Sequence, residues 1–284
     1  MAHDVNPEAE ALLDREIKVL DHGFVRMVDY LGGDARIVQA ARVSYGSGTK
    51  SVREDRALIH YLIRHLHTSP LEQVVLTFHC KMPIFVARQW VRHRTARLNE
   101  ISGRYSVMAE EFYVPEAGQV RPQSQSNRQG RGDEALAPET AQRVLDVLRR
   151  DQQALYGHYK EMIDDDVARE LARINLPLSL YTEWYWQIDL HNLFHFLKLR
   201  DDAHAQYEIR VYAEALARCA RAVAPLAYEA FEEHILHGRR FSRSEMDALR
   251  AMLDGRPCPL DHPRRRTEFF EKLGVEDRDR EPEK

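Results

Sequence analysis

The sequence holds only three cysteines, Cys80, Cys219 and Cys258, and none stands in CxxC spacing. That count argues against a disulfide framework or a structural zinc ribbon, and a reducing, cytoplasmic setting is expected. No apolar run approaches the length of a membrane span, so no membrane partner is expected. The opening residues, MAHDVNPEAEALLDRE, are acidic and carry no apolar core, so they do not read as a secretory signal. Charge of one sign is lacking too: 41 Lys and Arg stand against 45 Asp and Glu, a formal net charge of −4 over 284 residues. That near-balance argues against a generally basic nucleic-acid coat but leaves local basic patches open. There is no GxGxxG, no HExxH and no internal repeat. What is present, 44% hydrophobic and 30% charged residues, suits a globular chain with a core.

Residues 16–30 alternate apolar and polar around Gly23, which predicts two short strands or a hairpin. A helix is expected over 34–44 with Asp34 as its N-cap. A second is expected over 53–66, with Leu58, Tyr61, Leu62 and Leu66 on one stripe, stopping before Ser69-Pro70. Residues 73–82 read as a strand with Val74, Leu76, Phe78, Cys80 and Met82 on one face and Thr77, His79 and Lys81 on the other. Pro83 then suits the first turn of a short helix, PIFVARQWVRH. The stretch 121–134 has no hydrophobic residue and reads as a surface loop, either disordered or a lid over a site.

Further helices are predicted at 138–163, 165–174 and 190–200, with an aromatic strand at 180–188. The helix after them carries Ile209, Tyr212, Leu216, Cys219 and Val223 at alternating spacings of three and four, a seam that wants a partner helix in the core or in another subunit, the core being the expected use. Beyond 238 the chain turns charged and Pro-rich, which suits one or two peripheral helices. Strands are few and not regularly alternated with helices, so the fold class is α+β: a mixed or antiparallel sheet flanked by helices, with no Rossmann unit.

The densest chemical signal is 88–104, RQWVRHRTARLNEISGR, where Arg88, Arg92, Arg94, Arg97, Arg104 and His93 accompany one acid, Glu100. Guanidinium forks suit phosphates, because two parallel N–H groups meet two oxygens. Gln89, Asn99, Glu100 and Ser102 can read a heterocycle edge by donor and acceptor pairing, and Gly103 allows close backbone approach. An anionic, ring-bearing ligand such as a nucleotide fits; a solvated basic face making surface ion pairs is the plainer alternative.

The segment 92–105, RHRTARLNEISGRY, resembles the signature RHRxxSxNExSxRY of the flavin-dependent thymidylate synthases, with Arg97 where the motif has its first Ser. The likeness extends over AARVSYG (40–46), HTSPLEQVVLTFHCKMPIFVARQW (67–90), ELARINLPLSLYTEWYW (170–186) and LHNLFHFLKLRDDAHAQYEIR (190–210). The resemblance implies a catalytic domain over 14–238, followed by a peripheral helical extension over 239–284. It also implies a homotetramer with active sites shared between subunits. The reaction it implies converts dUMP to dTMP, with methylenetetrahydrofolate as carbon donor, FAD as redox carrier and NADPH as reductant.

Carried over by motif, Ser69, Arg92, His93, Arg94 and Glu100 contact FAD, joined by Asp189, Leu190, His191 and His195. Gln89, Trp90, Val91 and Arg92 line the dUMP site from one subunit. Glu100, Ile101, Ser102, Gly103 and Arg104, with Arg173 and Arg200, line it from another. Ser44 and Glu72 support the flavin, and His67 lies by the flavin and folate. Arg97 in place of the motif Ser bears only on packing in the flavin loop.

Methylating C5 of uracil usually needs a thiolate at C6. Cys80 sits on an apolar strand face, Cys219 on the helical seam and Cys258 in the tail, none with an activating neighbourhood in sequence. A cation at the N3/O4 edge can instead stabilise the deprotonated ring and activate C5, the part the resemblance gives Arg200, with Ser102 positioning the ring. No metal site is expected, because His191 and His195 are four apart without the acid of HExxH. Two other readings stand beside the enzyme: a single-strand nucleic-acid module gripping through 88–104, and a metal-dependent nucleotide hydrolase using His191 and His195.

Overall fold

A computed structural model of the chain describes residues 5–43, 52–125 and 130–277. Contacts divide the chain into two units, Met1–Phe231 and Glu232–Lys284. The first begins with α1 (Pro7–Glu10), β1 (Glu16–Val19), β2 (Gly23–Leu31), α2 (Asp34–Arg42) and α3 (Val52–Arg64). It continues with β3 (Val75–Pro83), α4 (Ile84–Trp90), β4 (Arg97–Glu100), α5 (Pro138–Asp164) and α6 (Arg169–Ala172). It ends with β5 (Tyr181–Asp189), α7 (Leu190–Arg200), α8 (Tyr207–Val223) and α9 (Pro225–Phe231). The second holds a π-helical turn (Glu232–Leu236), α10 (Arg243–Leu253) and α11 (Pro263–Leu273).

The five strands form one antiparallel sheet in the order β1-β2-β3-β5-β4, which bears out the α+β reading. Period-two alternation builds it: Leu76, Phe78, Cys80 and Met82 of β3 are buried, and so are Trp184 and Trp186 of β5. The other face carries His79 stacked on Tyr185, centroids 4.9 Å apart, with Lys81 paired to Glu111. Helices α4, α7 and α8 pack on the sheet. Their buried Trp90, Phe196 and Tyr212 meet around the two strand tryptophans; Trp90 lies edge-on to Trp184 and Trp186 at 5.4 and 5.1 Å. The α8 seam predicted from sequence is fully in this core: Ile209, Tyr212, Leu216 and Cys219 have no exposed surface.

Several local expectations shift. Gly33, not Asp34, precedes α2; the Asp34 carboxylate instead accepts from the backbone N–H of Leu226 and Ala227, 2.8 and 2.9 Å away, at the start of α9. In α3 the buried stripe is Ile59, Leu62 and Ile63, while Tyr61 and Leu66 are exposed, a one-residue rotation that turns α3 onto α9. The segment after α5 is helical only over Arg169–Ala172, with a 3₁₀ turn over Arg173–Asn175. Strand β4, at the end of the basic segment, was not expected. Around 121–134, Gln123 bridges Arg131, and Gly132 N–H donates to the Pro122 carbonyl at 2.8 Å, so those described flanks form a paired turn.

In the second unit, Phe269, Phe270, Ala248, Cys258 and Leu260 share a small core. Ser242 and Glu245 cap α10 reciprocally, and Arg266 forks onto Asp277 at 2.5 and 2.7 Å. No described helix is long and apolar enough to cross a membrane.

Candidate active site

The residues that gather into a cleft come from the turn after α4 and from one face of α7. Helix α4 ends at Trp90, whose carbonyl accepts from the His93 N–H at 3.0 Å, so the chain turns sharply and presents Arg92, His93 and Arg94 together. Helix α7 starts directly from β5, its end fixed by Asp189, which accepts from the Asn192 N–H at 2.9 Å and the Asn192 amide at 2.8 Å. Asn192, His195 and Leu199 then fall on one helical face at spacings of three and four. These residues, with Thr95, Ile188 and Arg200, line a cleft of about 420 Å³.

At its heart Arg200 Nε–H donates to His93 Nε2 at 3.1 Å. His93 also stands edge-on to Phe196 at 4.7 Å and 5.8 Å from His195. Burial, then the charges of Arg200 and His195, push the His93 imidazole down to about 4. It is therefore neutral near pH 7, its acceptor nitrogen facing Arg200 and its proton on Nδ1. Burial also lowers Arg200 from its ordinary value, but a guanidinium keeps its charge. Among the described residues Arg92, Arg94 and Arg200 have no carboxylate partner. Three uncompensated guanidiniums around one cleft are a receptor for anions. That donor set, walled by Ile188 and Leu199, fits a phosphate-bearing ring system such as FAD or a nucleotide.

A second group forms along β4 and the turn after it. Glu100 accepts from the Thr182 hydroxyl at 2.6 Å, and the Ile101 N–H donates to the Glu183 carbonyl at 2.9 Å. The Ser102 hydroxyl accepts from Arg104 N–H at 3.3 Å. Gly103 is buried, and a Cβ there would stand 3.1 Å from both Arg173 Cδ and Met108 Sδ, tighter than ordinary contact, so a side chain at this position would press on both. Arg104 covers Tyr105, its guanidinium 5.3 Å from the ring centroid. Arg97, the departure from the motif, donates to Gln187 on β5 at 3.2 Å. Arg200 thus joins His93, whereas Arg173 joins the 100–104 turn.

Other expected residues scatter around these groups. Ser69 and Glu72 lie exposed before β3, where the 3₁₀ turn Leu71–Gln73 packs against α7. His67 is exposed and 5.6 Å edge-on to Tyr61. Gln89 is partly buried, Val91 is exposed, and His191 sits one position off the cleft stripe. Ser44 falls outside the described residues. The Trp90 and Leu190 side chains have no exposed surface, and the Leu190 N–H is taken by the Val74 carbonyl. Thr95, Ile188, Asn192 and Leu199 were missed; the three-and-four spacing around His195 was the available signal for Asn192 and Leu199. Among the described residues, no three His, Cys, Asp or Glu side chains converge as metal ligands.

All three thiols are free and buried. Burial raises Cys80 well above the usual thiol value and pushes Cys219 up to about 12.

Comparison with known proteins meets the same residues. Residues 26–226 match the family model described as thymidylate synthase complementing protein, and 240–277 match the thymidylate synthase ThyX C-terminal domain. The flavin-dependent thymidylate synthase of Treponema denticola is 60% identical over 248 residues, 87% of this chain and 93% of that protein. That of Treponema pallidum is 58% identical over 273 residues, 96% of this chain and 89% of that protein. A crystal structure of the UMP/dUMP methylase PolB from Streptomyces cacaoi, bound with 5-Br dUMP, is similar at TM-score 0.69 and 33% identity. That match covers 76% of this chain and 97% of the other. With the arginine cleft inside the first matched span and identities this high over nearly whole chains, the protein belongs to the flavin-dependent thymidylate synthase family.

Proposed function

We propose that this chain makes dTMP from dUMP by reductive methylation, with methylenetetrahydrofolate as carbon donor, FAD as redox carrier and NADPH as reductant. The observation that carries the reading is the cleft in which Arg92, Arg94 and Arg200 stand without a carboxylate partner, in a chain of this family. Arg92 and Arg94 are the exposed forks that take phosphate oxygens, and Asn192, His195 and the Asp189 turn complete the flavin-facing wall. FAD, when bound there, supplies the redox chemistry that completes the methyl group. Arg200, aimed by neutral His93, holds the N3/O4 edge of uracil as an anion and so makes C5 nucleophilic. Ser102 positions the ring, and His67 with Ser69 and Glu72 borders the flavin and folate.

A cleft of about 420 Å³ is low in the range of about 300–1,000 Å³ usual for one ligand, and FAD with dUMP needs more room. We therefore read the assembly as a homotetramer in which the 100–104 turn and Arg173 of one copy complete the cleft of another. Residues 14–238 form the catalytic domain and 239–284 a helical extension, in a cytoplasmic protein.

The purified protein tests this directly. It should show a flavin spectrum that NADPH bleaches without oxygen, and it should release tritium from 5-tritiated dUMP when the folate is added. A colourless protein that releases no tritium with added FAD, and instead binds single-stranded DNA with steep salt dependence, would overturn the reading. Light scattering showing a monomer at full activity would overturn the shared site.

A further inference from the structure

Gln89 lies in the last turn of α4, and its side chain begins a chain of polar contacts that runs to the start of α8. Gln89 Nε2 donates to Gln206 Oε1, just before α8. Gln206 Nε2 donates to Glu208 Oε2 at 2.8 Å. Glu208 has no exposed surface, and its other oxygen accepts from the Tyr113 hydroxyl at 2.9 Å and from the Arg131 guanidinium. Arg131 is held in turn by the Gln119 carbonyl at 3.3 Å and by its bridge to Gln123. Burial by itself would raise Glu208, but Arg131 and Gln206 bring it below the usual carboxylate value, so the buried group is ionised.

The polarity of this chain can run only one way. A guanidinium only donates and a carboxylate only accepts. Gln206 must therefore turn its NH₂ to Glu208 and its oxygen to Gln89. Gln89 must then donate with its own NH₂, which leaves Gln89 Oε1, with no partner among the described residues, as the end available to a ligand. We propose that Arg131 and Glu208 are positioning residues that fix the Gln89 amide oxygen-outward, so that Gln89 accepts a hydrogen bond from a donor group on dUMP. This rests on the reading that Gln89 borders the nucleotide. It gives Arg131, from the segment 121–134 that is poor in hydrophobic residues, a part in substrate recognition.

Glu208→Gln keeps the shape but reverses the chain: Arg131 can only donate, so it takes the oxygen of the new amide, the NH₂ turns to Gln206, and Gln89 is left presenting its own NH₂ in place of its oxygen. Titration calorimetry of dUMP into the FAD-loaded protein should show Kd rising about fivefold, the scale of one neutral hydrogen bond. KM for dUMP should rise with it while kcat and flavin content hold. Arg131→Ala, at a partly buried position, should act alike because the uncompensated carboxylate takes up a proton and can donate. Arg131→Lys should restore most of the affinity. Gln89→Leu should weaken dUMP by a similar factor, and adding Glu208→Gln to it should cost nothing more. If Gln89→Leu leaves dUMP affinity unchanged, Gln89 does not border the nucleotide and the proposal falls with that placement. If Gln89→Leu weakens dUMP but Glu208→Gln and Arg131→Ala do not, or their effects add, the relay is wrong while the functional reading stands. Circular dichroism melts identify a folded Glu208→Gln protein; should it not fold, the Arg131 pair decides alone.

Discussion

Removing the imidazole of His93 is the most direct probe of the cleft. Among the described residues, His93 Nε2 is the only side-chain partner of Arg200, at 3.1 Å, and both groups are partly buried. His93→Leu keeps the bulk and deletes the acceptor. A hydrogen bond to a charged group contributes about 1.5–3 kcal/mol. If that energy aims Arg200 at the transition state, its loss lowers kcat/KM roughly 10- to 140-fold, since about 1.4 kcal/mol is a factor of ten. His93→Gln, whose Oε1 can accept from Arg200, should recover much of that. The assay is tritium release from 5-tritiated dUMP at saturating FAD, with flavin content read by absorbance. A His93→Leu enzyme within twofold of wild type, or a Gln variant no better than Leu, would refute the role.

The same residue predicts a pH effect of definite sign. Its folded value of about 4 lies below the ordinary 6.5, so the unfolded chain binds the proton more readily between these values. The contribution is fully present above about pH 6.5 and is lost as pH falls through about 4. The melting temperature of wild type should therefore drop more steeply over that window than that of His93→Gln. The difference between the two curves removes the carboxylates titrating in the same range.

Arg200→Ala should abolish dTMP formation and leave most of the flavin bound; unchanged turnover would remove Arg200 from the chemistry. Replacing Cys80, Cys219 and Cys258 together by Ala should lower the melting temperature yet keep tritium release in the folded fraction; a folded, yellow and inactive protein would reinstate a thiolate. Trp90→Phe should destabilise the fold by about 1–3 kcal/mol in urea titrations, because it opens space against Trp184 and Trp186, while dUMP affinity stays within twofold. A stable variant with weakened dUMP would return the Trp90 ring to the site.

What the sequence made legible was whatever local periodicity decides. The buried face of β3, the β5 strand and the α8 seam all follow from apolar spacing, since one face of each must meet the core. What escaped depends on contacts distant in sequence. Asp34 looks like the cap of its own helix, yet its carboxylate is taken by backbone N–H groups at 226 and 227. The α3 stripe was misplaced by one residue because α9 selects which face is covered. Strand β4 is four exposed polar or half-apolar residues, RLNE, at a sheet edge, and only the β5 backbone beside it makes it a strand. In the site, the family motif identified segments well and side-chain directions less well. Gln89 and Trp90 are adjacent in one motif block, but the helix turns Trp90 into the core and leaves Gln89 to a polar network.

The partner chosen for Arg200 has a consequence for chemistry without sulfur. A thiolate at C6 makes a pyrimidine electron-rich by forming a bond, and needs no strong field around the ring. Cys80 and Cys219 are sealed in the core with their thiols pushed well up, so on the proposed reading the negative charge on uracil must be held by electrostatics alone. A carboxylate beside Arg200 would aim the guanidinium but cancel much of its field. An imidazole that stays neutral aims it and cancels nothing. Burial does most to lower His93 to about 4 and the Arg200 charge adds to it, so the charge that activates the ring also helps keep its partner neutral. Substituting a carboxylate at position 93 should therefore hold Arg200 as firmly as histidine does and still lose the reaction, because position without field leaves C5 unactivated.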